Sequence, residues 1–187
     1  MKLAVLVSGT GTILDAMVAA GLPVALVVAD RPCLAIERAS GHGIAAEVVE
    51  RSTFGAAFDR EGYTQQITEF LQSHRVELIA MAGFATILAA PIYESFSGRI
   101  LNTHPSLLPA FPGWHAVEAA LAHGVKVSGC TVHVATLAVD SGPILAQEAV
   151  PVEADDTADT LHERIKDVER RLYPATIARV LNQGVCV

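Results

Sequence analysis

Asn102 and His104 close an apolar stretch in the middle of this chain, after Ile100 and Leu101 and just before Pro105. Strand side chains alternate faces, so two residues two apart point the same way. Proline has no N–H to donate, so Pro105 stops the ladder. Asn102 and His104 therefore belong together where a strand passes into a loop. In an open α/β sheet, ligands bind in the crevice outside the carboxyl ends of the strands. An amide there can hold an oxyanion and an imidazole can move a proton, a pairing suited to acyl chemistry.

A second group lies near the start. Ser8-Gly9-Thr10-Gly11-Thr12 follows an apolar run and opens a helical one. Glycines permit a tight turn, and a helix N-terminus offers free N–H groups to a phosphate. A dinucleotide fingerprint requires a third glycine where Leu14 stands, so one phosphate fits better than NAD. Asp30 falls where that fingerprint has its ribose-binding acid, but Asp30-Arg31-Pro32 reads as an ordinary loop. Asp140, in Asp140-Ser141-Gly142-Pro143, is by default a turn former, with a catalytic role as the alternative. His133, on the alternating Gly129–His133 run, is either a hydrogen-bonded core histidine or a site residue. His115, after Pro112-Gly113-Trp114, could simply start a helix. His42, His74, His123 and His162 carry no signal, and His162-Glu163 lacks the second histidine of a zinc helix. No metal site is expected. There is no G-x-S-x-G elbow and no Walker loop.

Composition bounds the setting for these groups. A chain of 187 residues buries roughly 70% of its unfolded surface and needs no disulfide or metal to fold. With 51% hydrophobic and 18% charged residues, a sheet buried on both faces is favoured and a disordered chain excluded. The net charge of −7, with no basic stripe, argues against a nucleic-acid partner. Cys33, Cys130 and Cys186 form no metal or redox spacing and read as inert thiols of a reducing cytosol. The apolar run Leu3–Val7 is too short for a signal peptide. The longest uncharged stretch, Leu78–Tyr93, is too short and too interrupted by Gly83 and Pro91 to cross a membrane. The expected location is the cytoplasm.

Strand and helix signals alternate. Strands are predicted at Leu3–Val7, Pro23–Ala29, Ala45–Val49, Leu78–Met81, Arg99–Asn102, Val127–Ala135 and Ile144–Pro151. Helices are predicted at Thr12–Ala20, Cys33–His42, Phe54–His74, His115–His123 and Thr157–Asn182, the last broken near Pro174. This order implies an α/β fold: a doubly wound, Rossmann-like, mostly parallel sheet with an antiparallel C-terminal extension. With no repeat or linker, residues 1–187 read as one domain. Residues 1–100 form a mononucleotide-binding half and 101–187 a catalytic half.

The motif Asn102-x-His104-Pro105-Ser106-Leu107-Leu108-Pro109-x-Phe111-Pro112-Gly113, with Asp140-x-Gly142-Pro143, resembles the folate-dependent formyltransferases. The resemblance extends to Ser8-Gly9-x-Gly11, Ala82-Gly83-Phe84, Glu169 and Tyr173-Pro174. It implies a formyltransferase fold and transfer of a formyl group from 10-formyltetrahydrofolate to the amine of glycinamide ribonucleotide, a step of de novo purine biosynthesis. The implied catalytic residues are Asn102, His104 and Asp140. Gly9, Gly11, Thr12, Ile13 and Lys166 would face the phosphate, and Glu169 the ribose. Arg60, Gly83, Phe84, Ile87, Leu88 and Val139 would face the folate, with Arg60 at its glutamate tail. Ser106, His115, Thr131 and His133 would support the site. The implied state is a monomer or homodimer. Ile13, where asparagine is common, and Ala85-Thr86, in place of a larger and sometimes basic pair, depart from the pattern.

Three rivals remain at this stage. Methionyl-tRNA formyltransferase shares the trio but is expected to need a further C-terminal domain. Formyltetrahydrofolate deformylase uses water as nucleophile and is expected to carry an N-terminal regulatory domain. A non-catalytic nucleotide-binding protein would not require the trio.

Overall fold

Leu3–Val7 (β1) is apolar throughout, and all five residues are buried, as expected of a strand covered on both faces. A computed structural model describes residues 1–51, 53 and 55–183. Its other strands are β2 (Val24–Ala29), β3 (Ala45–Val48), β4 (Leu78–Met81), β5 (Ile100–His104), β6 (Val127–Val134) and β7 (Ile144–Pro151). The helices are α1 (Thr12–Ala19), α2 (Leu34–Gly41), α3 (Arg60–Ser73), α4 (Ala90–Ser95), α5 (Ala116–Ala122) and α6 (Ala158–Gln183).

One sheet runs in the order β3-β2-β1-β4-β5-β6-β7. The first five strands are parallel, and β6 and β7 add antiparallel. Alternation along β1 splits the core into two layers. Leu3, Val5 and Val7 pack with Leu14 and Met17 of α1 and Tyr173 and Ile177 of α6. Ala4 and Leu6 pack with Ile67 and Leu71 of α3 and Ile92 of α4. A third cluster joins Val117 of α5 and Cys130 of β6 to Leu161, Ile165 and Val168 of α6.

Four details differ from expectation. The helix predicted from Phe54 starts at Arg60, because the Asp59 carboxylate accepts the Gly62 N–H at 2.9 Å and caps it there. Residues Gly55–Ala57 form a short 3-10 turn, and Phe54 lies outside the described residues, as does Cys186. The terminal helix does not break at Pro174. An internal proline costs about 3 kcal/mol, but Tyr173 and Ile177 beside it are wholly buried and the Tyr173 hydroxyl donates to the Leu101 carbonyl at 2.8 Å. Helix α4 has no counterpart in the sequence reading; Pro91 sits in its first turn, where a missing N–H does no harm. Finally, β5 extends to His104, so both polar residues are in the strand.

Candidate active site

Asn102 pairs with His133 across β5 and β6, and His104 with Thr131. This register places Asn102, His104 and His133 together at the carboxyl end of β5. Asp140 reaches them from the turn between β6 and β7. His104 Nδ1 lies 3.2 Å from Asp140 Oδ2, and His133 Nε2 lies 3.5 Å from Asp140 Oδ1. The Asn102 amide nitrogen is 3.4 Å from His133 Nε2.

The backbone holds this cluster in place. Phe111 and Asp140 both take left-handed conformations, with φ of 53° at each, which costs a residue with a side chain about 1 kcal/mol or more. The Phe111 turn aims its carbonyl at His104, whose Nε2 donates to it at 2.7 Å. The Gly113 N–H donates to Asp140 Oδ2 at 2.8 Å. Gly142 packs so tightly against β6 that a Cβ would overlap the Val134 carbonyl. Ser106 donates to the Ala110 carbonyl, and the Thr131 hydroxyl donates to the Ser106 carbonyl while accepting from the Leu108 N–H. The two hydroxyls thus fix the turn that follows His104.

Both ring nitrogens of His104 face oxygen atoms, Nδ1 the Asp140 carboxylate and Nε2 the Phe111 carbonyl. Burial pushes the Asp140 carboxyl up, but hydrogen bonds from His133 and Gly113 and the charges of His104 and His133 outweigh it and hold it below the ordinary value. The cluster is thus an anion clamped between two imidazoles, with an amide donor alongside.

These residues line one cleft of about 600 Å³. Gly9, Gly11, Thr12 and Ile13 line it, as do Lys166 and Glu169 of α6. Phe84, Ile87, Leu88 and Val139 give the cleft an apolar stretch of wall, with Gly83 and His115 also lining it. Two glycines of the first loop differ in purpose. Gly11 has φ of +79°, and a Cβ there would sit 2.8 Å from that of Ala35, so packing demands glycine. At Gly9 a Cβ would meet nothing within 4 Å, so that side of the loop is open. Ile13 packs into the core at 8% exposure.

Arg60 does not reach this cleft. As the first residue of α3 it lines a separate recess with Phe58 and Leu137. Lys166 does reach it, with its ammonium donating to Glu163 at 2.8 Å. Ser106 and Thr131 lie beneath the site rather than on its wall. Among the described residues no cluster of side chains could hold a metal ion, and no helix is long and apolar enough to cross a membrane.

Two wall residues have no place in the sequence reading. The Thr103 hydroxyl donates to Glu169, a short contact from the opposite face of β5. Burial pushes the Glu169 carboxyl up, against the Thr103 hydrogen bond and the charges of Arg170 and Lys166. The alternation that singles out Asn102 and His104 sends Thr103 to the other face, where only α6 gives it a partner. Trp114, 69% exposed, also borders the cleft; a lone aromatic after Pro-Gly carries no signal in sequence.

Comparison with known proteins shows the family. A family model described as formyl transferase matches residues 1–177. A phosphoribosylglycinamide formyltransferase of Mycobacterium tuberculosis is 44% identical over 191 residues, covering 100% of this chain and 87% of that protein. The trifunctional purine biosynthetic protein adenosine-3 of Gallus gallus is 40% identical over 194 residues, covering 100% of this chain but 19% of that longer protein. The crystal structure of glycinamide ribonucleotide transformylase 1 from Symbiobacterium toebii superposes with a TM-score of 0.91 at 41% identity, covering 98% of this chain and 88% of that one. The cleft, its Asn–His–Asp cluster and these matches together make this chain a member of the formyl transferase family, within its phosphoribosylglycinamide formyltransferase branch.

Proposed function

We propose that this chain transfers the formyl group of 10-formyltetrahydrofolate to the amine of glycinamide ribonucleotide, giving formylglycinamide ribonucleotide for purine biosynthesis. The observation that carries the reading is the His104–Asp140 pair beside the Asn102 amide, in one cleft whose wall also includes the glycine loop and an apolar group of side chains. We read residues 1–187 as one formyl-transfer unit, because the seven strands form one sheet.

The ribonucleotide phosphate goes to the open side of the loop at Gly9 and Thr12. There the first N–H groups of α1 and its positive dipole end favour an anion. Ile13 adds no polar contact, so backbone N–H groups and Lys166 carry the phosphate. The Glu169 carboxylate accepts from the ribose hydroxyls. The folate ring lies against Ile87 and Val139, two exposed apolar side chains that a flat ring would cover, and against Phe84 and Leu88.

The substrate amine attacks the formyl carbon, a C–N bond forms, and the carbonyl electron pair moves to oxygen. Asn102 donates to that oxygen from its amide. The His104 imidazole lies beside that oxygen's site, with Asp140 holding the ring in place. The proton leaving the amine passes by way of Asp140 to the departing folate nitrogen as the old C–N bond breaks. Formyl leaves one nitrogen for another, so neither a metal nor a covalent enzyme intermediate is needed.

One assay tests the reading. Enzyme, glycinamide ribonucleotide and 10-formyltetrahydrofolate are mixed, and release of deformylated folate is followed. Release that depends on the ribonucleotide is expected. Equal release without it identifies a deformylase. No release, with ribonucleotide still bound, identifies a non-catalytic binding protein.

A further inference from the structure

Asp30 is fully buried at the end of β2, yet it does not line the cleft. Its carboxylate is surrounded by donors. Arg31 grips it with a fork, Nε to Oδ1 at 2.9 Å and Nη2 to Oδ2 at 3.0 Å. The Thr86 hydroxyl donates to Oδ2 at 2.7 Å. The Ser8 hydroxyl also helps to hold the carboxylate in its charged form, and it accepts the Ala85 N–H at 2.8 Å. Thr86 in turn accepts from Arg51 Nη1 at 3.2 Å.

Each hydroxyl is thus a relay. Ser8 follows β1 and immediately precedes Gly9 of the glycine loop. Ala85 and Thr86 follow β4 and immediately precede Ile87 and Leu88 of the apolar wall. Since β2, β1 and β4 are neighbours in the sheet, one carboxylate at the central edge ties both lips of the cleft together. A buried carboxylate is costly unless fully hydrogen-bonded, and here the hydroxyls come from both loops. A plain loop-closing aspartate would be expected at the surface, making local contacts to its own turn.

We infer that Asp30 is a positioning residue for the formyl donor: through the Thr86 and Ser8 hydroxyls it fixes the 83–88 loop against the glycine loop. The inference rests on the folate assignment of that loop made under the proposed function. It also gives Ala85-Thr86 a purpose. A small residue with a hydroxyl there reaches the buried anion, which a longer side chain would overshoot.

Thr86→Val keeps the side-chain shape and deletes the hydroxyl, whereas Thr86→Ser keeps the hydroxyl. With ribonucleotide saturating, Thr86→Val is expected to raise the KM for 10-formyltetrahydrofolate about 5- to 10-fold, with a smaller fall in kcat. Thr86→Ser stays within about twofold of the parent, and Asp30→Asn moves in the same direction as the valine variant. A Thr86→Val enzyme with a lowered Tm but an unchanged donor KM overturns the inference, since the hydroxyl would then serve stability alone. Donor affinity by calorimetry in the parent and the two Thr86 variants separates this from the function itself. If the parent binds donor but fails to formylate glycinamide ribonucleotide, the function reading fails while the affinity ratio still decides the role of Asp30. A parent that does not bind the donor overturns both.

Discussion

His104 Nδ1 stands 3.2 Å from Asp140 Oδ2, with the two side chains 6% and 7% exposed. A histidine and an aspartate that are nearly closed to solvent interact far more strongly than the same pair at the surface. The Phe111 carbonyl occupies the other ring nitrogen, so the ring has one orientation.

Asp140→Asn keeps the shape and removes the charge. Turnover should fall about 10²- to 10⁴-fold, the range for a lost proton-transfer group. Stability should change with pH in one direction. The Asp140 carboxyl titrates below its ordinary value of 3.8, so its stabilising contribution is complete above that value and is lost as pH falls through the lower folded one. The Tm advantage of the parent over Asp140→Asn should therefore be present at neutral pH and vanish in strong acid. An advantage that grows on acidification would contradict the depressed value.

Asn102→Ala removes the amide donor without touching the His104–Asp140 pair. If Asn102 holds the oxyanion, kcat should fall about 10²- to 10³-fold while both KM values stay close to those of the parent. Near-normal turnover in a folded Asn102→Ala enzyme would remove it from the mechanism.

Gly9 and Gly11 should separate in their effects. Gly9→Val introduces a side chain into open space, so Tm should hold while the KM for glycinamide ribonucleotide rises. Gly11→Ala places a Cβ 2.8 Å from Ala35 in a left-handed turn, so Tm should drop, by an amount equivalent to about 1 kcal/mol or more. Thermal melts and steady-state kinetics on the two variants check both statements. Similar melting losses in both would mean that Gly9, too, serves packing.

Glu169 should make ribonucleotide binding pH-dependent. Its carboxyl titrates above the ordinary 4.5, and ribose hydroxyls donate best to the ionised form. The KM for glycinamide ribonucleotide should therefore rise in mild acid, before ordinary carboxylates titrate. Glu169→Gln should have a raised KM with a smaller rise over that range, the remainder belonging to the substrate phosphate. A parent KM that stays flat down to the ordinary carboxylate value would remove Glu169 from the ribose.

Trp114 is the sole tryptophan of the chain and lines the cleft. A folate bound there should quench or shift its fluorescence, whereas ribonucleotide alone should have a smaller effect. Titration with each substrate in turn measures this. An emission spectrum indifferent to saturating folate would place the ring elsewhere.

Much of this was legible in the sequence because its causes are local. Buried parallel strands are apolar at every position, so the Leu3–Val7 and Leu78–Met81 strands could be read directly. The period of two placed Asn102 and His104 on one face, and Pro105 marked where their strand ends. Gly9 and Gly11 announced a loop before a helix. Tertiary structure decided what depends on residues far apart in the chain. Asp140 joins His104 only because β6 returns antiparallel to β5, a pairing no local pattern specifies. Packing under β5 carries α6 straight through Pro174, against local propensity. Arg60 lines a separate recess at the start of α3, and Thr103 finds Glu169 only across the sheet–helix interface. Asp30 has the sequence of a surface turn, yet it is a buried anion because the hydroxyls of Ser8 and Thr86, 22 and 56 residues away, converge on it only when three neighbouring strands end side by side.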